Sequence, residues 1–219
     1  MPTRRKQRSM PRVLPLVLSL ATLAPTSLAP AIAGIHVGDR TNALESLHLT
    51  PTARETVSSM ETLKYQLANG NELSVTYDST KNSVVYVECD WGRKALSAET
   101  DFPGFKFGVT SLEDIRQTNG SNGFTYRSRG FGESGGELFT FNAYDLKDKP
   151  GIVVIFVTSL NIEDSQRRKA NEESGTEEVA KNLKLDALIL AEEEYLDKIW
   201  GKEKTYDKEA KPIIWGAIR

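Results

Sequence analysis

Residues 63–91, LKYQLANGNELSVTYDSTKNSVVYVECDW, decide how the chain is read. Apolar residues alternate at Leu63, Tyr65 and Leu67, and again at Leu73, Val75 and Tyr77, with Lys64, Gln66, Ser74, Thr76 and Asp78 between them. That two-residue period belongs to strands with one covered and one wet face. Asn69-Gly70 supplies the positive φ angles of a tight hairpin, residues 78–83 form a polar connection containing Asn82, and residues 84–87 open a third strand. The stretch therefore predicts three consecutive antiparallel strands.

Working outward, residues 34–47 predict an extended start, Gly38, and a helix carrying Leu44 and Leu47 on one side. Thr50-Pro51 predicts a second helix running to about Met60, since threonine caps well and proline fits the first helical position. Residues 105–115, FKFGVTSLEDI, restate the beginning, with Gly108 placed 70 positions after Gly38 and Leu112 and Ile115 on a helix face. Apolar runs at residues 124–126, 138–144 and 152–157 then repeat the strands. The expectation is an α+β fold of two tandem α-β-β-β units, residues 34–92 and 104–160, whose strands form an antiparallel sheet with the helices packed on one face. Residues 161–175 are nearly free of apolar side chains and predict a solvated linker, and residues 176–200 predict a C-terminal amphipathic helix with Val179, Leu183, Ala187 and Leu190 along it. Ile213, Ile214 and Trp215 in the tail to residue 219 need a surface to cover them.

Residues 1–33 carry Arg4, Arg5, Lys6, Arg8 and Arg12, then an apolar run over 13–24, then Ala31-Ile32-Ala33. These are the three parts of a secretory signal, with cleavage expected after Ala33. Arg4-Arg5 lacks the apolar residue a twin-arginine signal has just beyond the pair, which favours the general secretory route. Removing the five basic residues leaves 23 Lys and Arg against 30 Asp and Glu, a net charge of −7. An acidic exported chain argues against nucleic acid and anionic lipid as partners, and no stretch of the mature chain is apolar enough for a membrane span. Cys89 is the single cysteine, so no internal disulfide forms, and it lies too far from the cleavage site to carry a lipid anchor. Its place beside Val85 and Val87 predicts a buried thiol.

Residues 129–136, RGFGESGG, match G-x-G-x-x-G and G-x-S-x-G, but both motifs turn into a helix and a strand follows here. GESGG also resembles the segment around the nucleophile of chymotrypsin-like serine proteases, which would make Ser134 the nucleophile of a secreted hydrolase. Its base would be His36 or His48, neither in a suitable context, and Glu137 stands where those proteases have proline. A flexible hairpin loop is the expected role. Two histidines and one cysteine at no ligand-like spacing predict no metal and no cofactor. The alternation assigns a wet sheet face to Lys64, Gln66, Ser74, Thr76, Tyr86, Glu88 and Asp90 in the first unit and to Thr125, Arg127, Thr140 and Asn142 in the second. Tyr86, Glu88, Arg127 and Thr125 are the candidate binding residues, with Tyr86 and Arg127 as anchors because Tyr and Arg tend to dominate binding energy.

The paired units, carried by Val37-Gly38 through Leu47 with residues 63–91 and by Phe107-Gly108 through Ile115 with residues 124–157, resemble the beta-lactamase-inhibitor-protein-like fold shared with outer-membrane assembly lipoproteins of the SmpA/OmlA type. The resemblance implies a non-enzymatic protein that binds another exported or envelope protein through an exposed sheet face. The chain departs from it in lacking the lipoproteins' anchoring cysteine and the inhibitors' two disulfides.

Overall fold

The computed structural model describes residues 29–95, 97–161 and 176–216. Most of the signal segment and nearly all of the expected linker lie outside the described residues. A 3-10 helix at Thr41–Leu47 precedes β1 (Ala53–Val57), β2 (Met60–Gln66), β3 (Glu72–Asp78) and β4 (Ser83–Asp90). Then come β5 (Ala98–Glu99), β6 (Lys106–Phe107), α1 (Leu112–Asn119), β7 (Phe124–Tyr126), β8 (Phe131–Ser134), β9 (Glu137–Asp145) and β10 (Ile152–Asn161). The chain ends with α2 (Thr176–Asn182), β11 (Lys184–Glu192), α3 (Glu193–Trp200) and β12 (Lys204–Tyr206).

The expected meander is present as β2, β3 and β4, paired antiparallel in sequence order. The rest of the expected architecture is corrected. Among the described residues one ten-stranded sheet runs in the order β1-β2-β3-β4-β11-β10-β9-β7-β12, with β8 paired to β9, and two separate α-β-β-β units do not form. Three differences account for this. The helix expected after Pro51 is instead β1, joined to β2 through Ser58, whose φ of 57° suits a tight turn. Thr56 and Val57 are β-branched, and β-branched residues favour a strand next to a ready partner. The helix expected over residues 176–200 breaks into α2, β11 and α3. Leu185, Ala187, Leu188, Ile189, Leu190 and Ala191 are all buried, so β11 has no wet face and sits in the middle of the sheet between β4 and β10. Finally, the helices flank both faces of the sheet rather than one.

One face carries Leu63, Leu73, Val75, Val87, Cys89, Phe156 and Leu188 in a core covered by the N-terminal residues Ile32 and Ile35, the segment around Phe102, Phe105 and Phe107, and Ile115 of α1. The C-terminal tail closes this face: Ile213 bridges Leu146, and Trp215 packs edge-on to Phe102 at 5.0 Å. The opposite face carries Ala143, Ile155, Val157, Ala187, Ile189 and Ala191 under Leu196 and Trp200 of α3. α2 joins the first face through Ala180 and Leu183, packed on Leu112 and Leu160. No helix among the described residues is long and apolar enough to cross a membrane.

Candidate functional site

Strand parity puts Tyr86, Glu88 and Asp90 of β4 on one face with Ser74 and Thr76 of β3, as the alternation requires. That face is not wet. Ser74 and Thr76 are buried, and the Tyr86 ring stands edge-on to Tyr195 of α3 at 5.8 Å. The Tyr86 hydroxyl donates to Glu88 Oε2 at 2.8 Å. Glu72 lies directly across the ladder from Asp90, and Asp186 of β11 adjoins their other side. Burial first, then the charges of Glu88 and Glu72, push the Asp90 carboxyl up to about 8. Burial also raises Glu88, opposed by the Tyr86 hydroxyl and Lys64. Arg93 neutralises the rim of this patch by donating to both oxygens of Glu137, at 2.5 and 2.7 Å, and to Asp186 Oδ1 at 2.9 Å. Among the described residues no group of three His, Cys, Asp or Glu side chains gathers as a metal site.

The other candidate residues stand elsewhere. Arg127 follows β7 and pairs with Glu203 at 2.6 Å, both side chains exposed. From β4 to β7 is four ladder steps, about 19 Å at about 4.8 Å per step, so Tyr86 and Arg127 do not share one patch. Phe124 and Tyr126 lie on the face of Tyr86, so Thr125 between them projects to the opposite face. Thr140 and Asn142 alternate with Phe139, Phe141 and Ala143 and project with Thr125. Ser134 ends β8 and pairs with Glu137 across the two-residue turn Gly135-Gly136, both glycines at positive φ. His36 Nδ1 contacts the Pro30 carbonyl at 2.7 Å, His48 ends the 3-10 helix at φ 51°, and neither hydrogen-bonds Ser134. A serine nucleophile needs a base within hydrogen-bond reach, and the structure does not bring one together. Cys89 is buried, which pushes its thiol up to about 12.

A cleft not anticipated from the sequence opens between α1 and the β9-β7-β12 end of the sheet. Ser111 and Asp114 cap α1 reciprocally, Gly120 ends it at φ 58°, and the buried Leu112 and Ile115 fix its rotation. Arg116, next along the helix, reaches the sheet, where Nη2 donates to Asn142 Oδ1 at 3.4 Å. The Asn142 amide is oriented in turn by donating to Thr140 Oγ1, which bonds Thr158 Oγ1 at 2.7 Å. Thr125 and Thr205 face each other across the β7-β12 ladder and line the same cleft, with Asn122 and Lys208 on its wall. It encloses about 370 Å³. Asp207 stands at its margin, accepting from the Glu209 amide at 3.1 Å and the Asn122 side chain at 3.0 Å, and these bonds hold its carboxyl below the usual range. Arg116 Nε and the hydroxyl of fully buried Tyr144 have no hydrogen-bond partner. The sequence signalled α1 through Ser111, Leu112, Asp114 and Ile115, but nothing in it marked Arg116.

No protein-family model matches the sequence, and no curated protein matches it either. Among solved structures, an extracellular protein containing a SCP domain from Bacillus anthracis superposes with a TM-score of 0.45 at 11% identity. The match covers 90% of this chain and 57% of that one, so this chain spans little more than half the neighbour's length. Nothing is transferred at that level of likeness.

Proposed function

We propose that the mature chain is an exported, non-catalytic binding module that takes an extended segment of another exported protein along the open edge of β1. The observation that carries this reading is β1 itself. All five of its residues are exposed, Val57 at 73%, and among the described residues its only partner strand is β2. An unpaired edge leaves a row of backbone donors and acceptors for a further strand. Side-chain order then selects the occupant. Ladder parity places Arg54 and Thr56 on one face and Ala53, Glu55 and Val57 on the other; Arg54 is already paired with Glu61 at 2.8 Å, so the segment that fits is selected by an apolar or basic residue toward Val57 and Glu55. Export rests on the basic, apolar and small-residue segments of residues 1–33.

The test is selection of binders from a displayed library of ten-residue peptides, followed by amide exchange on the complexes. Slowed exchange within residues 53–57, and loss of binding in Val57→Lys, are the expected results. Binders that protect amides elsewhere and ignore Val57→Lys would overturn the reading.

A further inference from the structure

We infer that the cleft between α1 and the β9-β7-β12 edge is a binding site for a small oxyanion, gripped by the guanidinium of Arg116. Arg116 has no ion pair among the described residues. Its one hydrogen bond goes to a neutral amide at the long distance of 3.4 Å, its Nε is buried and bonded to nothing, and no carboxylate among the described residues lies within ion-pair distance of it. A charged guanidinium is normally paired, so one that lines an open cleft with only a long Nη2 contact leaves room there for an acceptor. Asp207 stands close enough for the Arg116 charge to act on its carboxyl but lies beyond ion-pair distance, and its Oδ1 already accepts from the Asn122 side chain and the Glu209 amide.

The surrounding groups are of one kind. Thr125 and Thr205 present hydroxyls on neighbouring strands, and Lys208 adds an ammonium, none of them with a side-chain partner among the described residues. The Tyr144 hydroxyl, close enough to Arg116 and Asp207 for both to act on its ionisation, is a fourth unpaired donor, in a smaller cavity that shares Gly123, Phe124 and Tyr206 with the cleft. Donors converging without an acceptor call for an acceptor-only group. The planar guanidinium of arginine matches the two oxygens of a carboxylate or two of a phosphate. At about 370 Å³ the cleft fits a small anion at the lower end of ligand-pocket sizes. Asp207 at the margin disfavours high charge, which favours a monoanion.

This inference does not rest on the β1 edge, which lies at the opposite end of the sheet. Its test uses the mature chain, labelled with nitrogen-15, titrated in parallel with sodium acetate, inorganic phosphate and sodium chloride at matched ionic strength. The expected result is a saturable shift of the Arg116 Nε–Hε signal and of the Thr125 and Thr205 amides with acetate or phosphate, and none with chloride. Acetate alone identifies a carboxylate ligand, and phosphate alone a phosphate one. Arg116→Met should weaken binding by about tenfold to a hundredfold, the loss of a charge-assisted bond. Should that variant fail to fold, Thr205→Val carries the test, with severalfold weaker binding expected. A wild-type response identical in all three salts, or undiminished binding in either variant, would overturn the assignment.

Discussion

Asp90→Asn should stabilise the protein above neutral pH and leave it nearly unchanged in acid. Asp90 faces Glu72 across the β3-β4 ladder, Glu88 two residues away on its own strand, and Asp186 on β11, with Lys64 of β2 as the cation that opposes them. The folded state therefore holds its proton up to about 8, where an unfolded aspartate releases it near 3.8. A carboxyl raised in this way makes its full contribution below the unfolded value and loses it as pH climbs through the folded one. Between the two, unfolding releases a proton and stability falls with rising pH.

Each tenfold displacement is worth about 1.4 kcal/mol, so the upper limit is about 5–6 kcal/mol. Glu88 shares the same proton balance with Asp90, and relaxation around a charge shrinks the effect, which brings the expected gain to about 2–3 kcal/mol. Asparagine keeps the shape of the protonated acid and cannot ionise. Urea unfolding of both proteins at about pH 8.5 and about pH 4.5 measures it, with the variant ahead only at the higher pH. A variant equal to or weaker than wild type at pH 8.5, or a gap that persists at pH 4.5, would refute a buried, mutually repelling carboxylate patch.

Cleavage after Ala33 would remove Ile32, which is fully buried and exchanges backbone hydrogen bonds with Ile35. A chain beginning at Gly34 should therefore be about 2–4 kcal/mol less stable than one beginning at Pro30, read from urea midpoints, and N-terminal sequencing of the exported protein is expected to find a start that retains Ile32. Equal midpoints, or a natural start at Gly34, would count against the packing at this corner. Gly92→Ala should cost about 3 kcal/mol or more in the same assay, because the added methyl group would fall 1.7 Å from the Gly70 carbonyl oxygen, backbone against backbone; a neutral result would mean that the β2-β3 loop moves freely away.

The sequence was legible where local chemistry and sheet position agree. Alternation from Leu63 to Asp90 and the Gly70 turn, at φ 88°, lead to β2, β3 and β4, and the reciprocal Ser111-Asp114 cap with Leu112 and Ile115 leads to α1. Gly38 and Gly108 do share a positive φ before a short helix, yet this local likeness does not extend to the sheet. Alanine, leucine, glutamate and lysine favour helix, and an apolar run without alternation shows no strand period, so β11 was hidden until its neighbours were known. Tyr86 and Glu88 pair as parity demands. Thr125 faces away from them because β7 joins the sheet through Phe124 opposite Ala143, a register no local pattern announces. Arg116 stayed invisible for a related reason: its meaning lies in what it fails to meet across the chain.

The position of β11 also bears on the order of folding. It is the last long strand in the sequence and the central one in space, and it supplies both the partner of β4 and the second partner of β10. A chain that has emerged only as far as residue 161 holds two partial sheets, one ending at β4 and the other at β10, each with a long apolar edge uncovered. Val87 and Val154, paired with Val75 and Tyr144, lack their second ladder neighbour until Leu190 arrives between them. Contacts this distant in sequence form slowly, because loop closure must precede the burial that stabilises them. The two halves of the sheet therefore close on each other only once residues 184–192 are available.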